Sequence, residues 1–142
     1  MTALIGRIIT GALVILILQL GVGVRARADD PHLGITEYEI SCMPCHGVDG
    51  RGDGPRAKSL KTAPADLSKI AKSNNGDFPS ETLAAVIDGR AAVAAHGARD
   101  MPVWGDRYRT KAYTTDTAAE IDHRGRAQIA ALVRYLKTIQ EK

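Results

Sequence analysis

The chain of 142 residues has two cysteines, and both lie in one pentapeptide, Cys42-Met43-Pro44-Cys45-His46. Few features restrict a fold so strongly, because each chemistry open to a Cys-x-x-Cys pair demands a different surrounding. A redox dithiol expects a βαβ context, and strand signals here are poor: there is no sustained alternation and no hairpin turn between β-branched runs. Half of a structural zinc site needs two more ligands nearby. No second cysteine pair exists, and the other histidines, His32, His96 and His123, are scattered. A disulfide across two residues would staple almost nothing.

The start of the chain bears on the choice. Residues 1–28 contain Arg7, Arg25 and Arg27 and no acid, and from Ile8 to Val24 only Thr10 and Gln19 are neither apolar nor small. Ala26-Arg27-Ala28 follows, and then Asp29-Asp30. A basic start, an apolar stretch and an A-x-A site describe a secretory signal peptide cut after Ala28. An uncleaved anchor through residues 8–24 is the alternative, since the stretch approaches the length of a spanning helix. Both readings place a single domain, residues 29–142, outside the cytoplasm, and the expected location is the periplasm. Lys and Arg number 19 against 16 Asp and Glu. The excess of three belongs to the leader, so the remaining domain is formally neutral and gives no argument for nucleic-acid binding.

In an exported chain, Cys-x-x-Cys-His fits a c-type haem attachment site. Two thiols at this spacing add to the two vinyl groups of one porphyrin, and His46 is then held beneath the iron. The composition agrees. The chain has one Phe, one Trp and four Tyr, and much of its apolar content is alanine. A domain this size buries a modest share of its surface, so a large apolar object at its centre would supply missing core.

The helical signals lie at the two ends. His32 to Cys42 reads as a short helix running into the motif. Met43 to Pro64 is rich in Gly and Pro and reads as a loop. Ala65 to Ser73 predicts a short helical turn. Ser80 to Gly89 predicts a helix, with Pro79 before it and Gly89 at its end. Residues 127–140 give the strongest helix, with Ile129, Leu132, Val133, Leu136 and Ile139 at three- and four-residue spacing.

With these residues in view, residues 32 to 142 resemble a class I c-type cytochrome, a bacterial monohaem cytochrome c. Cys42 to Gly47 resembles the attachment motif. Gly50 to Pro55 resembles the loop that follows it, and Met101 to Gly105 the distal-ligand loop. Gly34 and Tyr38 on the first helix, with Leu132 and Tyr135 on the last, resemble the family's helix crossing, in which a missing side chain lets two helices approach. The resemblance implies an all-α fold of three to five helices around one haem c attached through Cys42 and Cys45.

Met101 is the expected distal ligand, because Met43, inside the attachment motif, cannot reach the opposite face. His96 is the competitor and would give bis-histidine ligation. The resemblance also suggests a proline carbonyl, here Pro55, as acceptor for the His46 ring N–H. Trp104 either donates to a haem propionate or covers the haem edge. Arg90, Arg99 and Arg107 are further propionate partners among which the sequence does not choose.

An iron held by His and Met has no open position, so it suits one-electron transfer between redox proteins, at a raised potential. The expected function is a periplasmic electron carrier rather than an enzyme. Two alternatives stand beside it: an obligate haem subunit of a larger exported oxidoreductase or oxidase, and a haem enzyme or gas sensor with an open iron.

Overall fold

The computed structural model describes residues 30–91, 101–110 and 115–142. The leader, its cut site, His96 and Arg99 lie outside these residues.

The first helix, α1 (Pro31–Ser41), begins where the Asp30 carboxylate accepts the His32 backbone N–H at 2.9 Å, with Pro31 in the first turn. That carboxylate satisfies a donor that helix geometry leaves unpaired, and proline loses nothing at a position with no intrahelical bond to make. At Cys42 the chain breaks and restarts as the single turn α2 (Met43–His46). A glycine-rich loop then curls back over α2. Its N–H groups donate to the α2 carbonyls: Gly52 to His46 at 2.8 Å, Gly54 to Cys45 at 3.1 Å and Arg56 to Pro44 at 2.9 Å. The carbonyls orphaned at the end of a short helix are thus satisfied by backbone. The approach is too close for side chains, since a Cβ on Gly54 would stand 2.6 Å from the Met43 oxygen.

Two 3₁₀ turns, Ala57–Ser59 and Leu67–Lys69, lead to the short α3 (Ile70–Ser73). Helix α4 (Ser80–Asp88) closes on Gly89 in the left-handed conformation, the favoured residue for that cap. Helix α5 (Trp104–Thr110) follows Met101 and has no clear periodic signal in the sequence. Helix α6 (Ala118–Thr138) begins at a reciprocal capping box between Thr117 and Glu120, well before the periodic apolar stretch. No strand occurs among the described residues, which hold six helices rather than three to five, two of them of four residues.

The core joins α1, α4, α5 and α6 through Tyr38, Cys42, Ile87, Tyr108, Ile129, Leu132, Val133 and Leu136. Helices α1 and α6 cross most closely at Gly34, where a Cβ would sit 2.3 Å from the Ala131 carbonyl oxygen. The Tyr38 and Tyr135 rings meet there in a tilted pair, with centroids 5.0 Å apart. Burial pushes the Tyr38 phenol well above its usual range, so it stays protonated and donates to the Gly47 carbonyl at 2.6 Å. This bond ties the helix crossing to the end of α2. Buried Asp88 holds α4 to α5 through Arg109, at 2.7 Å, and is also paired with Arg90. Arg109 continues to Asp122 of α6 at 3.3 Å.

Candidate functional site

Between α2, the loop after it, α4, α5 and α6 lies a cavity of about 340 Å³. Apolar side chains make most of its wall, among them Leu60, Leu67, Ile70, Leu83, Val86, Ile87, Leu132 and Leu136. Cys42 enters from the break between α1 and α2, Cys45 and His46 from α2, and Met101, Pro102 and Trp104 from the start of α5 and the segment before it. Five of the six site residues expected from the sequence therefore face one space, though Cys42 and Trp104 are 62 positions apart in the chain. Pro55 does not line it and is exposed.

The His46 ring is buried and held. Its Nδ1 stands 2.9 Å from the Ala65 carbonyl oxygen. A carbonyl only accepts, so Nδ1 carries the proton and donates it. In the neutral ring this leaves the lone pair on Nε2, the tautomer a metal-ligating imidazole needs. The expected acceptor, Pro55, is corrected here. The loop after Pro55 turns back, with the Leu67 N–H donating to the Gly50 carbonyl at 2.6 Å, and it is this return that brings Ala65 to the ring.

No disulfide joins the two cysteines. Cys42 is buried, and burial pushes its thiol up to about 12, with Glu37 and Cys45 adding to the shift. The apolar wall suits a large flat hydrophobic group, and the two sulfurs on one turn of helix suit anchoring it. The donor set near the cavity is one imidazole nitrogen and one thioether sulfur. Among the described residues no cluster of three His, Cys, Asp or Glu side chains could hold a bare metal ion. The residues thus fit a metalloporphyrin better than a metal ion on its own.

Of the arginines considered as carboxylate partners, Arg90 is occupied by Asp88, while Arg107 lines the cavity. Arg56 lines it too and was not anticipated; nothing in the sequence sets it apart from the other arginines. Ala65 could not have been found from its side chain, since any residue supplies a carbonyl. The aliphatic wall from α4 was visible only as a helix bounded by Pro79 and Gly89.

The family model described as Cytochrome c matches residues 33–140 of the chain. No curated protein and no solved structure matches it.

Proposed function

The chain belongs to the cytochrome c family, and from that premise we propose that it is an exported, periplasmic one-electron carrier whose haem iron is ligated by His46 and Met101. The family carries a covalently bound haem c, and the two cysteines have the spacing that attachment requires. The haem supplies the redox chemistry; the protein supplies ligands, burial and a docking surface.

One observation supports this reading above others: His46, both cysteines and Met101, drawn from two distant parts of the chain, share one apolar cavity. Each has a separate task. Cys42 and Cys45 anchor the porphyrin to α2. The Ala65 carbonyl holds the His46 ring in one tautomer and one orientation. Met101, ahead of Pro102 and α5, offers a thioether that leaves no position for a substrate when bound. The aliphatic wall excludes water, which lowers the reorganisation that accompanies a change of iron charge. The leader, residues 1–28, is the proposed export signal, with redox proteins outside the cytoplasm as donor and acceptor.

The test is spectroscopic. Oxidised holo-protein should show the weak near-infrared band of sulfur-to-iron charge transfer. Met101→Ala should abolish it, lower the midpoint potential and admit carbon monoxide to the reduced iron. Axial ligands span about 0.8 V in haem proteins, so the fall should be large. His96→Ala should leave band and potential nearly unchanged. Loss of the native spectrum in His96→Ala but not in Met101→Ala would overturn the ligation. Mature protein recovered from the periplasm should begin at Asp29; retention of residues 1–28 in membranes would show an anchor instead.

A further inference from the structure

Resting on the reading of His46 as an iron ligand, we propose that Gln140 is a positioning residue for that ligand: its carboxamide fixes the loop that delivers the Ala65 carbonyl to the His46 ring. The orientation and basicity of a ligating imidazole depend on the acceptor at its other nitrogen. Here that acceptor sits in a stretch, Leu60 to Asp66, without regular structure. A carbonyl in such a stretch keeps hydrogen-bond geometry only if the backbone beside it is held. Two residues on, Leu67 is held from both sides. Its N–H donates to the Gly50 carbonyl at 2.6 Å, and its carbonyl accepts from Gln140 Nε2 at 2.8 Å.

Gln140 follows the end of α6, 73 positions beyond Leu67, and both polar ends of its side chain are engaged. Nε2 donates to the Leu67 carbonyl and also to the Leu136 carbonyl, each at 2.8 Å, and Oε1 accepts the Ala71 backbone N–H at 2.9 Å. The ends of the amide cannot be exchanged, because carbonyls require donors and an N–H requires an acceptor. One side chain thus joins the turn Leu67–Lys69, the short helix α3 and the last turn of α6. The Glu141 N–H adds a parallel bond to the Ser68 carbonyl at 2.8 Å. These bonds hold the backbone of the cavity wall, since Leu67, Ile70 and Leu136 all line it. Closing the end of α6 would need only the bond to Leu136. The bonds to Leu67 and Ala71 reach across to the loop and serve its placement. Without the amide, water satisfies Leu67 and Ala71 in many backbone positions, and the Ala65 carbonyl loses its fixed approach to the ring.

The test follows the His46 Nδ1–H by NMR in ferrous holo-protein labelled with nitrogen-15. In wild type this proton should exchange slowly. The Gln140 side-chain amide protons should be protected from solvent and show nuclear Overhauser contacts to Leu67 and Leu136. Gln140→Met keeps the side-chain length and removes every bond of the amide. The Nδ1–H resonance should then move upfield and its exchange quicken about tenfold, the factor that loss of one or two net hydrogen bonds gives. Gln140→Glu keeps an acceptor for Ala71 but no donor for Leu67, and should act in the same direction. Thr117→Ala, which removes the cap at the opposite end of α6, should change neither resonance nor exchange. A wild-type resonance and exchange rate in Gln140→Met would overturn the proposal. So would a change matched by Thr117→Ala, which would mark it as general loss of stability. Freely exchanging Gln140 amide protons in wild type would overturn it without any variant. Absence of attached haem, or His46 ring protons without the upfield shift that haem imposes, would instead sink the reading on which the proposal rests.

Discussion

Helix α6 has two neighbourhoods built on opposite plans. Toward α1 it is closed by the chain alone: Gly34 admits the Ala131 carbonyl, and the Tyr38 and Tyr135 rings pack as a tilted pair. Toward α4, α5 and the loop after α2 it borders the cavity, where Leu83, Val86, Met101 and Trp104 are only half-buried. The first region interlocks at the level of backbone. The second presents apolar side chains to a space that none of them fills. Close packing is the norm in protein interiors, so the difference marks where the chain completes its own core and where it needs another molecule to do so.

The largest test of that contrast is removal of the anchors. Cys42→Ala with Cys45→Ala should prevent covalent haem attachment and leave the cavity wall uncovered. Helical circular dichroism should be much reduced, and the cooperative thermal transition should be lost. A cooperatively folded, haem-free double variant would show that the cavity side is self-sufficient after all.

On the sealed side, Gly34→Ala in the holo-protein should force α1 and α6 apart. Helix propensity favours the change by about 1 kcal/mol, but a Cβ at 2.3 Å from a backbone oxygen cannot be accommodated by a side-chain shift. Overpacking of this kind costs about 1 to 3 kcal/mol, and at so close a contact the net loss should be about 2 kcal/mol in denaturant unfolding. The near-infrared band should persist, since the cavity is left alone. An unchanged midpoint would mean that the crossing is looser than the backbone implies.

The smallest effect belongs to the link between the regions. Tyr38→Phe keeps the ring pair and removes the donor to the Gly47 carbonyl, 2.6 Å away. Loss of a buried hydrogen bond costs about 1 to 2 kcal/mol. Because Gly47 follows His46, a change in amide exchange should appear at the end of α2 as well as in α1. Protection lost only within α1 would show that the two regions are not coupled through this hydroxyl.

The sealed region was largely legible in the sequence. Gly34, Tyr38, Leu132 and Tyr135 signal it through their resemblance to the family's helix crossing, and the apolar periodicity of residues 127–140 sets the inner face of α6. The start of that helix was less visible, because the Thr117–Glu120 cap precedes the periodic stretch and is a polar signal. The cavity side was legible at its chemical points and not between them. Met101 stood out as the methionine outside the attachment motif, whereas α5 lacked a readable period and Arg56 looked like any surface arginine.

The attachment chemistry was decided by the sequence alone, since the reach of two thiols and the histidine that follows them is a matter of covalent spacing. The acceptor that orients His46 was decided only by the fold. A carbonyl has no residue-type signature, and which one reaches the ring depends on how the loop from Gly47 to Asp66 closes. Pro55 lies nearer along the chain, but the return of the backbone, fixed by the Leu67 to Gly50 hydrogen bond, delivers Ala65. The meeting of Met101, Trp104 and Arg107 with α2 is likewise tertiary: it needs α4 and α5 docked on α6, through buried contacts and the Asp88–Arg109 pair, before residues so far apart can line one wall.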